Sequence, residues 1–138
     1  MSLFQFTGRR PAHLGKPCSQ LEPCPGTPNC VSSLAERPRQ KIAPLTPPVP
    51  AVQALKCLHN LLRDMKEATI ICHSDNYLYA EFRSSLMGYV DDVEFLIVAG
   101  SPGIQIRSAS RLGKSDLGAN RRRMEKIRRL LDGKSHSP

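Results

Sequence analysis

The amino-acid sequence predicts an α+β fold of two layers, a four-stranded antiparallel sheet packed by two helices in the order α-β-β-β-β-α. Short segments alternate apolar and polar residues, as strands do when one face lies in a core. Two longer segments repeat apolar residues at intervals of three and four, as amphipathic helices do. Most of the twelve prolines precede residue 51, which predicts an irregular, proline-rich N-terminal arm ahead of the first helix.

The helices are predicted over residues 50–66 and 117–131. Pro50 suits the first turn of a helix, where its missing N–H would have no intrahelical partner. Asp116 or Asn120 is the expected N-cap of the second helix, because short polar side chains accept hydrogen bonds from the first backbone N–H groups. The apolar positions of the first helix recur along one face: Ala51, Ala54, Leu58, Leu61 and Met65.

The strands are predicted over residues 69–73, 77–84, 89–98 and 104–109. Turn residues between them, such as Gly100 to Gly103, leave only short connections. Short connections favour an antiparallel meander. Because the sheet and both helices each have one apolar face to cover, a two-layer packing is the simplest arrangement.

A chain of 138 residues is long enough for one modest core, so a single domain is predicted. We expect residues 1–20 to be a flexible segment, residues 21–134 to form the domain and residues 135–138 to be a tail. Within the domain, residues 21–48 are expected to be an extended arm. Apolar residues that recur along it would pack it onto the fold: Leu21, Val31, Ile42 and Leu45.

The formal charge of +8 lies mainly in the C-terminal part, which suggests an acidic protein partner or an anionic ligand. Nucleic acid is an unlikely partner, because no aromatic residues interleave with the arginines of 121–129 to stack on bases. No apolar run approaches the ~20 residues of a transmembrane helix. The start lacks the pattern of a signal peptide, so we expect a cytoplasmic protein, with peripheral contact to a membrane as one option.

The five cysteines are an odd number, which favours a reducing compartment. Cys18, Cys24 and Cys30 are spaced more widely than the pairs of zinc sites, and no metal is predicted. A disulfide between Cys24 and Cys30 is geometrically feasible, and free thiols packed against the domain are the alternative. No cofactor is predicted, because the sequence contains no phosphate-binding P-loop.

Polar residues of three predicted strands fall on one sheet face. The group comprises Tyr77, Tyr79, Glu81, Arg83, Asp92, Glu94, Gln105 and Arg107, and its two arginines would neutralise the carboxylates. One interpretation is a binding surface, and another is a buried ion-pair lattice. A third is an enzyme in which one carboxylate acts as a general base on an anionic substrate held by arginine.

The stretch after the last strand combines hydroxyls, glycines and cations, a composition that resembles an anion cradle. Its polar members are Ser108, Ser110, Arg111 and Asp116. The alternative is a loop whose serines and Asp116 cap the following helix. Arg123 lies at the edge of the apolar line of that helix, from which it could reach the sheet.

Several motifs occur in order along the chain, among them Pro28-Asn29-Cys30-Val31-Ser32-Ser33, Val90-Asp91-Asp92-Val93-Glu94-Phe95, Arg107-Ser108-Ala109-Ser110-Arg111 and Asn120-Arg121-Arg122-Arg123. Together they resemble the family of domains of unknown function numbered 1499, DUF1499. The segment 4–14 is most similar to cyanobacterial and plant versions. The resemblance implies that the arm belongs to the domain, and it implies no activity.

From these observations we predict a small accessory or binding protein without catalysis. It would engage an acidic or polar partner or ligand through the charged sheet face and the Ser/Arg loop, with the membrane surface as one setting. The alternative is the general-base enzyme. The candidate site residues are Tyr79, Glu81, Asp91, Asp92, Glu94, Arg107, Ser108, Ser110, Arg111, Asp116, Asn120 and Arg123.

Overall fold

The computed structural model describes residues 8–15, 20–84, 88–113 and 116–135. Two helices and five strands follow one another along these residues: β1 Cys30–Ser32, α1 Ala51–Arg63, β2 Ala68–His73, β3 Tyr77–Arg83, β4 Val90–Leu96, β5 Gln105–Ser110 and α2 Ala119–Ser135. All paired strands are antiparallel. The predicted α+β class is confirmed.

The sheet has five strands rather than the four that the sequence predicts. The additional strand, β1, comes from the proline-rich arm and pairs with β5, with Cys30 opposite Ala109 and Ser32 opposite Arg107. The strand order is therefore β1-β5-β4-β3-β2. A strand of three residues among prolines has no detectable period, and its pairing with a distant segment is a tertiary effect that local sequence does not encode.

The main core lies between one sheet face and the two helices. Both helices turn their apolar sides toward alternate residues of the strands, which is the two-layer packing that their periodicity predicts. The buried residues of this core include Leu58, Leu62, Leu78, Phe95, Ile106, Met124 and Ile127. α2 begins at Ala119, two residues later than predicted, because the preceding residues form its capping turn.

The second sheet face is covered by the chain before β1. Leu14 and Leu21 are buried with Tyr77, Tyr79 and Leu96 in a smaller apolar cluster. This N-terminal cover, residues 8–15 and 20–24, therefore lies on the polar face of the sheet. Three further apolar residues of the sequence before the cover, Leu3, Phe4 and Phe6, lie outside the described residues.

The rest of the arm runs along the outer edge of β1. Ser32 N donates to Gln40 O at 2.8 Å, and Ile42 N donates to Ser32 O at 3.3 Å. Leu45, which is 1% exposed, exchanges two backbone hydrogen bonds with Ile104, of 2.9 and 2.8 Å. The contacts of Ser32 occupy the free edge of β1, which would otherwise offer unpaired backbone groups to another chain, and those of Leu45 pair the backbone just before β5.

A disulfide joins Cys24 to Cys30, with the two Cα atoms 5.8 Å apart. It connects the end of the N-terminal cover to the first residue of β1. Cys57 and Cys72 are free thiols, and Cys18 lies outside the described residues. The disulfide is at odds with the reducing compartment that the odd number of cysteines favours.

The arm passes close to the turn before β5, and substitutions at the two glycines of this turn test how closely the two segments are packed. Gly103 has φ +72, and a Cβ there would lie 2.1 Å from Leu45 O, whereas a Cβ at Gly100, with φ +82, would meet nothing within 4 Å. Gly100→Ala should cost about 1–2 kcal/mol of unfolding free energy through the left-handed backbone alone. Gly103→Ala should cost a further 1–3 kcal/mol or so through overpacking.

Urea unfolding of the two variants measures this difference. Equal losses for Gly103→Ala and Gly100→Ala would contradict a close approach of the arm to this turn.

Candidate functional site

The candidate site residues lie in two clusters on opposite faces of the sheet. The arm-side cluster faces the N-terminal cover and contains Tyr79, Glu81, Asp92, Glu94, Arg107 and Arg111, with Tyr77 and Arg10. The helix-side cluster faces α2 and contains Asp91, Ser108, Ser110, Asp116, Asn120 and Arg123. Successive residues of a strand point to opposite faces, which separates Asp91 from Asp92 and Ser108 from Arg107.

Arg111 is the centre of the arm-side cluster. Its Nε donates to Asp92 Oδ2 at 2.9 Å and its Nη2 to Asp92 Oδ1 at 2.8 Å, a bidentate pair. The same Nη2 also binds Glu81 Oε2. Tyr79 Oη donates to Asp92 Oδ1 at 2.7 Å. The hydrogen bond to Asp92 raises the pKa of Arg111, and burial raises that of Tyr79, so the first stays charged and the second neutral.

Arg10 closes the cluster from the N-terminal cover. Its Nε and Nη2 lie 2.8 Å and 2.7 Å from Glu81 Oε2, and its guanidinium lies over the ring of Tyr79. Burial by itself would raise the pKa of Glu81, but hydrogen bonds from Arg10 and Arg111 outweigh it and lower the pKa. The sequence offered no signal for Arg10, since it is 71 residues from Glu81.

Arg83 does not neutralise these acids, contrary to the expectation from strand alternation. It lies at the end of β3 opposite Val90 and is exposed. Arg111, which lies just past β5, and Arg10 take its place. The register of the strands, which local sequence does not determine, decides which arginine reaches the acids.

Glu94 and Arg107 form a looser pair beneath the N-terminal cover. Arg107 Nη1 is 3.8 Å from Glu94 Oε1, while Tyr77 Oη donates to Glu94 Oε2 at 2.5 Å. Burial raises the pKa of Glu94 and lowers that of Arg107. Among the buried side-chain atoms that the structure describes, Glu94 Oε1 and Arg107 Nε are without a hydrogen-bond partner.

Asn120 connects the elements of the helix-side cluster. Ser108 Oγ donates to Asn120 Oδ1 at 2.5 Å, and Asn120 Nδ2 donates to Ser110 Oγ at 2.9 Å and to Asn29 O at 3.2 Å. Asn29 in turn donates through Nδ2 to Gly113 O at 2.7 Å. Asn120 is fully buried, so these bonds fix α2 against β5 and the arm.

Asp116, one of the two predicted caps, accepts the N-terminal hydrogen bonds of α2. Gly118 N donates to its Oδ1 at 2.8 Å and Asn120 N to its Oδ2 at 3.0 Å. Burial alone would raise the pKa of Asp116, but these hydrogen bonds lower it. Because its carboxylate already occupies the helix N-terminus, an anion has little to gain there.

Arg123 reaches the sheet, as its position on the helix suggested. Its Nη2 lies 2.7 Å from Asp91 Oδ2, and its Nη1 donates to Asn120 Oδ1 at 3.0 Å. The guanidinium carbon is 5.0 Å from the centroid of the Phe82 ring, a distance typical of a cation–π contact.

An open groove of about 1050 Å³ lies beside the helix-side cluster, at the end of β3 and the start of β4. The cluster residues that line it are Asp91, Ser110, Asp116 and Arg123. Two exposed cations, Lys66 and Arg83, line its other side. Within the described part of the chain, neither of their side chains forms an ion pair or a hydrogen bond. The apolar lining includes Phe82, Tyr89, Val90, Leu112 and Leu117.

A second cavity, of about 540 Å³, lies between α1 and the turn after β2. His59 and His73 line it, with ring centroids 4.4 Å apart. It contains none of the candidate site residues. In the ranges that the structure describes, no three His, Cys, Asp or Glu side chains are grouped so that they could hold a metal ion.

Comparison with protein families identifies the family to which the domain with these clusters belongs. A family model described as "Protein of unknown function (DUF1499)" matches residues 20–131, which covers every strand and most of α2. The chain belongs to the DUF1499 family. Comparisons of this DUF1499 chain with curated proteins and with solved structures gave no significant match. Of its helices in the described ranges, none is long and apolar enough to span a membrane.

Removing Arg111 should show how strongly the arm-side cluster supports the fold. Arg111→Met leaves Asp92 and Glu81 buried without their shared cation, so unfolding free energy at pH 7 should fall by about 3–5 kcal/mol. Arg129→Met, the same change at an exposed position of α2, should stay within about 0.5 kcal/mol of the parent. Urea unfolding at several pH values measures both.

The contribution of Glu81 to the unfolding free energy should decrease as the pH is lowered. The pKa of Glu81 in the folded parent lies below its ordinary value of 4.5, so its stabilisation is present above that pH and is lost as pH falls through the folded pKa. The loss caused by Arg111→Met should therefore shrink in acid, because Glu81 becomes protonated. A loss that is the same at pH 7 and pH 3 would contradict the ion-pair account.

Proposed function

We propose that this DUF1499 chain is a binding protein without catalysis, and that it holds an anionic ligand or an acidic group of a partner in the groove beside the helix-side cluster. The observation that supports this most directly is the pair of exposed cations, Lys66 and Arg83, which line the groove with no acidic partner in the described residues. A peripheral contact with a membrane is one form that such a partner could take.

The charges of the groove differ in how far they are already compensated. Arg123 is paired with Asp91, and Asp116 is held by the helix N-terminus. The formal charges of the lining sum to zero, but Asp91 and Asp116 are already bound, which leaves Lys66 and Arg83 beside the exposed Glu67. A ligand anion between the two cations would gain Coulomb attraction without breaking an existing pair.

The sheet face first considered as a binding surface is a less suitable place for a ligand. Glu81 and Asp92 are bound by Arg111 and Arg10, and Glu94 is bound by Tyr77. The N-terminal cover lies over them. We therefore interpret the arm-side cluster as a structural ion-pair lattice that fixes the cover to the sheet.

The general-base alternative finds its best candidate in Glu94. Burial raises its pKa, as in many catalytic carboxylic acids. However, Glu94 is 2% exposed, and a general base has to come within hydrogen-bond reach of its substrate. Catalysis there would require the N-terminal cover to move, so we favour binding in the groove.

Binding can be tested with inorganic phosphate and ¹⁵N-labelled protein. Amide shifts should change at groove residues such as Arg83, Ser110 and Arg123, and the change should weaken as sodium chloride is raised. The double variant Lys66→Gln/Arg83→Gln should abolish it.

The matched control removes two exposed cations of α2 outside the groove, Lys126→Gln/Arg129→Gln, and should leave the shifts unchanged. Shifts that survive loss of Lys66 and Arg83, or that spread equally over α2, would mean that phosphate follows the general positive charge instead of the groove.

A further inference from the structure

Exposed apolar side chains gather at the groove. Among the described residues, the large apolar side chains with substantial exposure are Leu34, Val52, Tyr89, Leu112, Leu117 and Leu130. Half of these, Tyr89, Leu112 and Leu117, line the groove that contains Lys66 and Arg83. Single exposed apolar residues are ordinary on protein surfaces, but grouped ones mark binding sites.

Leu117 is unusual in both its exposure and its backbone. It is 84% exposed, and its φ of 53° is in the left-handed region, which glycine and asparagine adopt more readily than leucine. Gly118 follows with φ 81°. A leucine here places an apolar side chain at the rim of the groove although the backbone disfavours it. Such outliers are more frequent at functional sites than elsewhere.

Lys66 and Arg83 lie at one end of the groove and Leu112 and Leu117 at the other, with Tyr89 between them. Arg83 N donates to Glu67 O at 3.0 Å, which places Lys66 and Arg83 at the β2–β3 end. Arg111 N donates to Val90 O at 3.2 Å, so Leu112 lies at the β5 end, near the start of α2. The strand order places β4, which Tyr89 immediately precedes, between them. The exposed apolar residues therefore extend from Tyr89, beside the cationic end, to Leu112 and Leu117 near α2.

We propose that the ligand is a single-chain anionic amphiphile, whose carboxylate or phosphate head binds Lys66 and Arg83 while its hydrocarbon chain lies along Tyr89, Leu112 and Leu117. This inference rests on the proposed function and specifies its ligand class. The groove volume of about 1050 Å³ is of the size of small-molecule sites, which combine an apolar lining with a few placed polar groups.

The test is a chain-length series of free carboxylates, namely acetate, butyrate, hexanoate, octanoate and decanoate. Each is titrated below its micelle-forming concentration, and Kd is taken from the amide shifts of the groove. Burial of one CH₂ is worth about fourfold in affinity. Since the groove is open on one side, we expect Kd to fall roughly twofold per CH₂.

Two double variants separate the contribution of the ligand's anionic head to affinity from that of its hydrocarbon chain. Leu112→Ser/Leu117→Asn should flatten the chain-length dependence and leave acetate binding unchanged, and asparagine suits the left-handed backbone at position 117. Lys66→Gln/Arg83→Gln should weaken every carboxylate. Leu34→Ser, an exposed apolar residue outside the groove, is the control and should change neither.

Any other outcome would contradict one particular part of the proposal. Carboxylates that bind with a Kd independent of length would overturn the amphiphile and leave the proposed function intact. If no carboxylate binds and phosphate also fails, both are overturned. Decanol binding as tightly as decanoate would overturn the anionic head.

Two further measurements address other occupants of the groove. Binding to vesicles containing phosphatidylglycerol, with no binding of free decanoate, would overturn the monomeric ligand in favour of a bilayer surface. Groove shifts that depend on protein concentration and not on decanoate would replace the amphiphile with a second copy of the chain.

Discussion

Arg111 lies just past the end of β5 and binds two carboxylates that project from β3 and β4, Glu81 and Asp92. Through Glu81 it is connected to Arg10 of the N-terminal cover. The Arg111 guanidinium thus connects β3, β4 and the N-terminal cover. Without it, this face of the sheet would carry unpaired buried charge. Replacing such a lattice by apolar residues can be neutral, whereas removing one member is costly. The arrangement therefore makes the position of the cover specific.

Under the proposed function, this use of the acids limits where a ligand can bind. Charges that are paired beneath the cover have little affinity to offer, since an incoming ligand would first have to displace their partners. At the end of the sheet, Lys66 and Arg83 stand beside an open groove whose apolar lining is unusually exposed. The same sheet therefore has a closed polar face that stabilises the fold and an open end that is suited to recognition.

The sequence was sufficient for the features that depend on local period. Alternation placed Glu81, Asp92 and Glu94 on one face, and the helical stripe placed Arg123 where it reaches the sheet. It was insufficient where partners are distant along the chain. β1 has three residues and no period, Arg10 reaches Glu81 across 71 residues, and the groove arises only when β2, β4 and α2 are brought together. Opposite orientation of Asp91 and Asp92 also divided one predicted site into two clusters.

The pairing of β1 with β5 has a consequence for biosynthesis. Of the described strands, the first, β1, is hydrogen-bonded to the last, β5, so a nascent polypeptide cannot complete this sheet until residue 110 has left the ribosome. Until then β4 presents an open edge, and the segment that becomes β1 has no partner. Sheets closed by such distant pairing fold slowly, and unpaired strand edges favour aggregation meanwhile. A ribosome-bound chain ending before β5 would therefore depend more on chaperones than the finished protein does.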